Sequence, residues 1–427
     1  MSRRRPSFAT YARRRWRVLG LLLVLLAGSV LILAITDKGH DPAWEARGAS
    51  MEQGAISPAG DAAYALVREG GNITRLEARR GDDGHLLWSS PLNATRAVMA
   101  AGDDGVAVAT DFPLSFLTFY AKDGSVRDQI FLEGVPRALA VEGSRVALAL
   151  QAPDNPVLVV SGGRVEAVHR FASFVNALDM RGGRVAAGTG AGEVRIEDAL
   201  SGAVLYDGSF SLSIHSLRLA ADGGSLVFGG ASLEPGNLTG EVGFVDLLGD
   251  APVRWTHATA AGTAFVDLDR SGVWALAVED GPAGNVVRVY AAATGETRWS
   301  RDVQGGLAQG DANEGGGVSL SADGAFVAVG TLHGGISVYR TLDGARLWTY
   351  RDDDTTRVRF AEQQPDALLA NGKRNAGDAT VGLLDFSVAR EPLPRQLPAL
   401  AALLALGFAA AGALILGVGY WRLRRSY

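Results

Sequence analysis

Two acidic stretches hold the densest chemistry in the chain: Asp311, Asn313 and Glu314 within QGGLAQGDANEGGG, and Asp352, Asp353 and Asp354 within RDDDTT. Carboxylate and carboxamide oxygens at that spacing suit calcium or a basic ligand. The same residues equally describe a solvated acidic rim, and both readings stay open. Two other segments imitate ligand loops. GTGAGEV, Gly188 to Val194, has the glycines of a phosphate loop but leads into a strand pattern, whereas phosphate binding of that kind needs a helix N-terminus. DLDRSG, Asp267 to Gly272, starts like a calcium loop, yet no closing carboxylate follows at the required distance. The chain has no cysteine, which excludes disulfides, thiolate zinc sites, a nucleophilic thiol and a thiol-linked lipid anchor. No catalytic, metal or cofactor set emerges.

Charge is distributed unevenly. Arg3, Arg4, Arg5, Arg13, Arg14, Arg15 and Arg17 lie near one end, and Arg422, Arg424 and Arg425 near the other, with no acid among residues 1–36 or 421–427. Removing those ten charges from the formal −5 leaves the middle at −15, which repels phosphate backbones and argues against nucleic acid as a partner. Between the basic ends and the middle lie two uncharged runs. VLGLLLVLLAGSVLILAI, Val18 to Ile35, is about 27 Å long as a helix, close to the hydrocarbon thickness of a bilayer. LPALAALLALGFAAAGALILGVGY, Leu397 to Tyr420, is the second. The sequence after the first run offers no small-residue cleavage site, so an uncleaved anchor is expected. The division expected is an arginine-rich tail at 1–17, a transmembrane helix at 18–36, an exported domain at 37–396, a second transmembrane helix at 397–420 and a short tail at 421–427. The arginines place both tails in the cytoplasm of a two-pass cell-membrane protein in contact with lipid.

The middle repeats. Turn pairs ending in glycine recur at Asp83-Gly84, Asp123-Gly124, Ser161-Gly162, Ser201-Gly202, Leu248-Gly249, Thr294-Gly295 and Asp343-Gly344. Such pairs suit tight hairpins because glycine accepts positive φ without steric cost. Upstream of most lies another hairpin, as in VSLSADGAFVAVG. Four short strands per unit, A to D, predict an all-β propeller of eight blades, alternatively seven, beginning near Gly54, Arg96, Pro136, Val175, His215, Ala264, Gly317 and Thr356.

Trp88, Trp299 and Trp348 follow their turn glycines by four residues, Tyr206 takes the same slot, and Trp255 lies two residues later. In TGETRW, DGARLW, DGHLLW and SGAVLY the chain resembles the tryptophan-docking motif of the quinoprotein-type, PQQ-like eight-bladed propeller family. The resemblance implies that each outer-strand aromatic docks on the neighbouring blade. It does not carry the family's cofactor chemistry across, because the vicinal cysteine pair is missing and no segment matches its calcium or cofactor ligands.

The final unit supplies only three strands before the second apolar run, while Trp44 in DPAWEARG keeps the tryptophan spacing. Residues 43–48 are therefore expected to complete it as strand D. Both membrane segments would then leave from a C to D position, directing the A–B and C–D turns at the bilayer and the longer B–C and D–A loops outward. The outward face collects the acidic loops and the glycosylation candidates Asn72, Asn93 and Asn237. The expected function is a non-catalytic extracytoplasmic binding or assembly scaffold for a protein, peptide or glycan ligand. A membrane-bound quinoprotein-like dehydrogenase and a calcium-dependent adhesion module are the alternatives.

Overall fold

The computed structural model describes residues 44–48, 51–69, 71–111, 113–232, 239–249, 252–259, 263–281, 284–303, 317–331, 335–350, 355–373 and 379–385. The two apolar runs and both arginine-rich tails lie outside them. Among the described residues there is no helix, and so none long and apolar enough to cross a membrane.

The described chain forms eight separate four-stranded antiparallel sheets. Their inner A strands are Met51–Ile56, Ala97–Gly102, Val135–Glu142, Val175–Arg181, Leu212–Leu219, Thr263–Leu268, Val318–Leu320 and Thr355–Phe360, which head blades 1 to 8 in order. Each A strand neighbours the next, and that of blade 1 neighbours that of blade 8, so the blades close into a ring. In blades 1 to 7 the strands follow one another in sequence.

Position in the ring explains the residue types. Strand B is sandwiched on both faces and reads as an unbroken apolar run, as in Phe326–Thr331, FVAVGT, buried throughout. Strand D has one free face and alternates, as in Leu86–Ala94. The apolar core is distributed along the seams between blades. Near the axis adjacent sheets crowd together, and small side chains fit: Ala138, Ala147 and Ala149 of blade 3 meet Val175, Leu178 and Met180 of blade 4. Farther out the sheets splay apart, and aromatic rings fill the widening gap.

A shift in register recurs where strand C pairs with strand D. In each of blades 1 to 7 the shift next to the C–D turn leaves one D residue unpaired: Leu87, Arg127, Glu166, Leu205, Arg254, Arg298 and Leu347. Such a bulge increases local twist and redirects the following side chain. That following residue is the aromatic slot in five of the seven.

Blade 8 is assembled from both ends of the described chain. Trp44–Gly48 pairs antiparallel with Ala379–Asp385, with Trp44 opposite Leu383 and Gly48 opposite Ala379. Trp44, Ile56, Ala63 and Ala65 pack with Ala361, Ala367 and Leu369 across the closing seam. Trp44 and Asp385 thus lie side by side at the edge that carries the C–D turns.

Deleting residues 43–48 removes a strand ladder and one seam anchor, whereas deleting an equal length of the arginine-rich tail removes neither. Thermal melting of the two deletion variants is expected to show a far larger loss for the first; equal melting temperatures would refute closure by this strand.

Candidate functional site

The acidic residues Asp311, Asn313, Glu314, Asp352, Asp353 and Asp354 lie outside the described residues, as does Asn237. Asn72 is exposed at the B–C hairpin of blade 1. Asn93, expected in a loop, is exposed within strand D of that blade. GTGAGEV runs from the end of one strand through a turn into the next, so no helix dipole is present there. In DLDRSG the carboxylate of Asp269 accepts from the Trp274 amide at 2.6 Å, the Ser271 amide at 3.2 Å and the Ser271 hydroxyl. That carboxylate holds the A–B turn of blade 6.

The outer-strand tryptophans reach across seams. Trp44 Nε1 donates to Gly81 O at 2.7 Å, Trp88 to Lys122 O at 2.7 Å, Trp255 to Ala292 O at 2.6 Å and Trp299 to Thr341 O at 2.7 Å. Every acceptor belongs to the C–D turn of the following blade. The turn glycine beneath each ring serves two needs. Gly344 has φ of +67°, and a Cβ there would lie 2.9 Å from the Trp299 ring; at Gly295 the values are +72° and 2.7 Å from Trp255. Only glycine satisfies both. The two-residue displacement of Trp255 reflects a longer turn in blade 5, since by register it faces Phe244 just after the bulge, as Trp299 faces Val289. Trp348 is buried on blade 7. Tyr206 is buried in the seam between blades 4 and 5, its ring against Gly208 of its own strand.

Blades 2 and 3 carry Asp128 and Ala167 in this slot. Across the seam from blade 3, His169 acts in place of an indole. Its Nε2 lies 3.1 Å from Ala199 O in the next C–D turn, and its Nδ1 lies 2.5 Å from Glu197. Arg195 bonds the other oxygen of Glu197 at 3.0 Å. The Glu197 hydrogen bond raises the His169 pKa above its ordinary value of 6.5, against burial, which lowers it. Burial pushes Glu197 up, but the bonds from His169 and Arg195 outweigh it and hold the carboxyl below its usual range. No tryptophan spacing marks this histidine, which lies two residues past the slot.

A second set of cross-seam bonds runs near the axis. Gln53 Oε1 accepts from the Met99 amide at 3.0 Å, Asp179 from Leu219 at 2.9 Å, Ser216 from Val266 at 3.1 Å, Asp267 from Leu320 at 2.8 Å and Ser319 from Phe360 at 3.2 Å. Each joins one A strand to the next. Glu142 extends the series by accepting from the Gly182 and Gly183 amides at 2.5 and 3.1 Å.

Where the A strands end at the A–B turns, a charged cluster fills the axis. Glu362, in the A–B turn of blade 8, pairs with Arg181 of blade 4 and with Arg218 of blade 5 at 2.8 Å. In a ring of eight, blades 4 and 8 face one another, so this carboxylate spans the channel. Asp179 lies 3.3 Å from Arg181 and 3.5 Å from Arg218, and Asp267 lies 3.6 Å from Arg218. Gln363, next in the turn, donates through its amide to Pro58 O at 2.7 Å and through its side chain to Asp103 at 2.9 Å. One turn thus grips blades 1, 2, 4 and 5. Burial pushes Glu362 up, but Arg181, Arg218 and Arg359 prevail and hold it down at about 2. Burial and then the Arg218 charge push Arg359 down to about 10.

No protein-family model and no curated protein matches this sequence. Solved structures do match. This is a β-propeller. The chain is similar to the computationally designed Ika8 protein, with a TM-score of 0.61, 16% identity and coverage of 81% of this chain and 98% of that one. The Dos1 propeller gives 0.60 and 12%, covering 81% and 94%. BamB from Moraxella catarrhalis gives 0.52 and 14%, covering 78% and 100%. Identities this low speak for fold alone.

Two expectations follow from the seams. Trp299→Ala should cost about 3 to 5 kcal/mol. Gly344→Ala should cost more than the roughly 1–2 kcal/mol of a left-handed alanine, because the ring is also displaced. In the Trp299→Ala background only the backbone part should remain, so urea midpoints of a double-mutant cycle would show coupling; strict additivity would mean that the two residues do not meet. For His169, a folded pKa above the unfolded value gives stability that is full below pH 6.5 and declines as pH rises through the folded value. Wild type should lose more melting temperature between pH 6 and pH 9 than His169→Gln, and parallel curves would contradict the assignment.

Proposed function

We propose that this chain is a membrane-anchored, non-catalytic binding or assembly scaffold. Its propeller stands outside the cytoplasm, both termini lie within it, and a protein, peptide or glycan ligand docks on the face bearing the B–C and D–A loops. The observation that carries this reading is the shared blade: Trp44 and Asp385 leave the ring side by side, and from there the sequence runs to the apolar segments 18–36 and 397–420. Two spans leaving one edge would tether that face to the bilayer and leave the opposite one free.

Loop architecture supports the choice of face. The two longest connections between the described strands, from Val303 to Val318 and from Ser232 to Gly240, lie on the free side, and at QAPDNP on that side Asp154 and Asn155 hold φ of +65° and +40°. Ligand recognition is commonly carried on such loops over a rigid scaffold. The non-catalytic reading is supported by the channel end, where paired side chains leave a space of about 60 Å³, room for a few waters rather than for a fused-ring quinone.

Because the chain has no cysteine, single cysteines report without background. With a membrane-impermeant maleimide on intact cells or spheroplasts, Asn72→Cys and Asp123→Cys should label at once, and Ser2→Cys only after lysis. A photo-crosslinker on Asn72→Cys should capture a ligand that the same reagent on Asp123→Cys, at the tethered face, does not. Labelling of Ser2→Cys before lysis would overturn the topology, and capture from Asp123→Cys alone would overturn the choice of face.

A further inference from the structure

In the axial cluster the acids are already committed. Glu362 accepts from Arg181 and Arg218, Asp179 accepts from the Met180 and Leu219 amides, and Asp267 accepts from the Leu268 and Leu320 amides. Arg359 differs from the other two arginines. It makes no hydrogen bond among the described residues, and its nearest carboxylate, Glu362, is 3.8 Å away, beyond hydrogen-bond reach. Its side chain is 28% exposed, toward a space of about 60 Å³ bordered by Arg181, Arg218, Asp267, Ser319 and Glu362. A second space of about 40 Å³ touches Arg218, Arg359 and Glu362 from the side of blades 1 to 3. A water needs roughly 10–15 Å³ by this measure, so a few waters, or one small group displacing them, fit beside the Arg359 guanidinium.

We propose that this channel end is a binding site for a small oxyanion, a phosphate or a carboxylate, held between Arg359 and Arg218 beside Ser319. A guanidinium presents paired N–H donors in a plane that matches two oxygens of such an anion. Arg359 has that fork unused and faces another cation. Ser319, whose hydroxyl accepts from the Phe360 amide at 3.2 Å and donates only over a long 3.4 Å to Asp267, supplies a further donor. An anion here would place a negative charge between two arginines that otherwise repel. The size of the space rejects nucleotides and fused-ring ligands. Since Arg270, Ala322 and Glu362 of the A–B turns border the space, it opens on the turn face, where a free anion and a lipid headgroup would present the same chemistry.

The test is thermal melting of the full chain in detergent, at constant ionic strength against chloride. Inorganic phosphate is titrated in one arm and a soluble short-chain phosphatidic acid in the other. A saturable rise in melting temperature is expected; a response to phosphate identifies a free anion, and a response to the lipid alone identifies a headgroup. Arg359→Gln should fold, and its response should weaken about tenfold or more. Arg359→Lys, which keeps the charge and loses the fork, should retain part of the response. Arg254→Gln, which breaks an exposed 3.0 Å pair with Asp246, should respond as wild type does. Absence of any rise in wild type, or full responses in both Arg359 variants, would overturn the site.

Discussion

No strand ladder crosses from one blade to the next. The eight sheets are separate hydrogen-bonded units, joined across the seams by side chains and, at the A–B turns, by single backbone bonds such as that from the Arg270 amide to Ala322 O. That constraint orders the structure by radius. At the rim an indole lies flat on a glycine turn and donates its N–H to a carbonyl there, as Trp299 does on Gly344. Midway, packed apolar side chains fill the seam, with alanines where sheets crowd and aromatics where they splay. At the inner strands a short polar side chain such as Asp267 or Ser319 accepts a backbone amide that no strand can satisfy, and an unsatisfied buried amide is costly. On the axis Glu362 replaces a seam contact by one across the diameter. Each bond is of ordinary strength, but each acts between units that would otherwise slide.

The closing blade turns this mechanical arrangement into a directional one. Completing blade 8 with Trp44–Gly48 covers the edge of Ala379–Asp385, which would otherwise invite pairing with another chain nearer the axis. It also brings both ends of the ring to one turn edge and gives the propeller two unlike faces. The charged end of the channel lies on the face of the A–B and C–D turns, where Trp44 and Asp385 meet, while the B–C and D–A connections lie on the other.

Much of the fold was legible because it rests on local signals. Glycine turn pairs mark hairpins, and the tryptophan four residues later marks the rim contact; both recur, and recurrence multiplies weak evidence into a topology. Even the displaced strand at Trp44 shows itself, because a three-stranded unit and a stray tryptophan motif each imply the other. Where the local signal fails, the reading fails with it. His169 does the work of an indole from two residues beyond the slot, and its identity depends on Glu197 and Arg195 of the next blade. Asn93, placed in a loop by its sequon, belongs to a strand that runs longer than the turn spacing implies. The recurrent C–D bulge leaves no mark at all, since the unpaired residue ranges from leucine to arginine to glutamate.

The axial cluster was illegible for a deeper reason. Arg181, Arg218, Arg359, Asp179, Asp267 and Glu362 come from four blades, with Arg181 and Glu362 separated by 181 residues, and each looks alone like an ordinary polar end to a strand. What gathers them is closure itself. Eight inner strands end around one axis, so any charge near the last residue of an A strand is delivered to a shared, narrow and partly dehydrated space, where charges interact more strongly than on an open surface. A ring therefore converts a one-dimensional position, the end of an inner strand, into membership of a three-dimensional site. The acidic loops drew notice in the sequence because their charges are contiguous, yet contiguous charges on a loop can part and be hydrated. Charges at the ends of inner strands cannot part, because the ladders that hold them are the blades. Charge compensation must then be solved at the axis by this set of side chains. Three guanidiniums share three carboxylates whose oxygens are already engaged, and that leaves Arg359 facing Arg218 with its donor fork open.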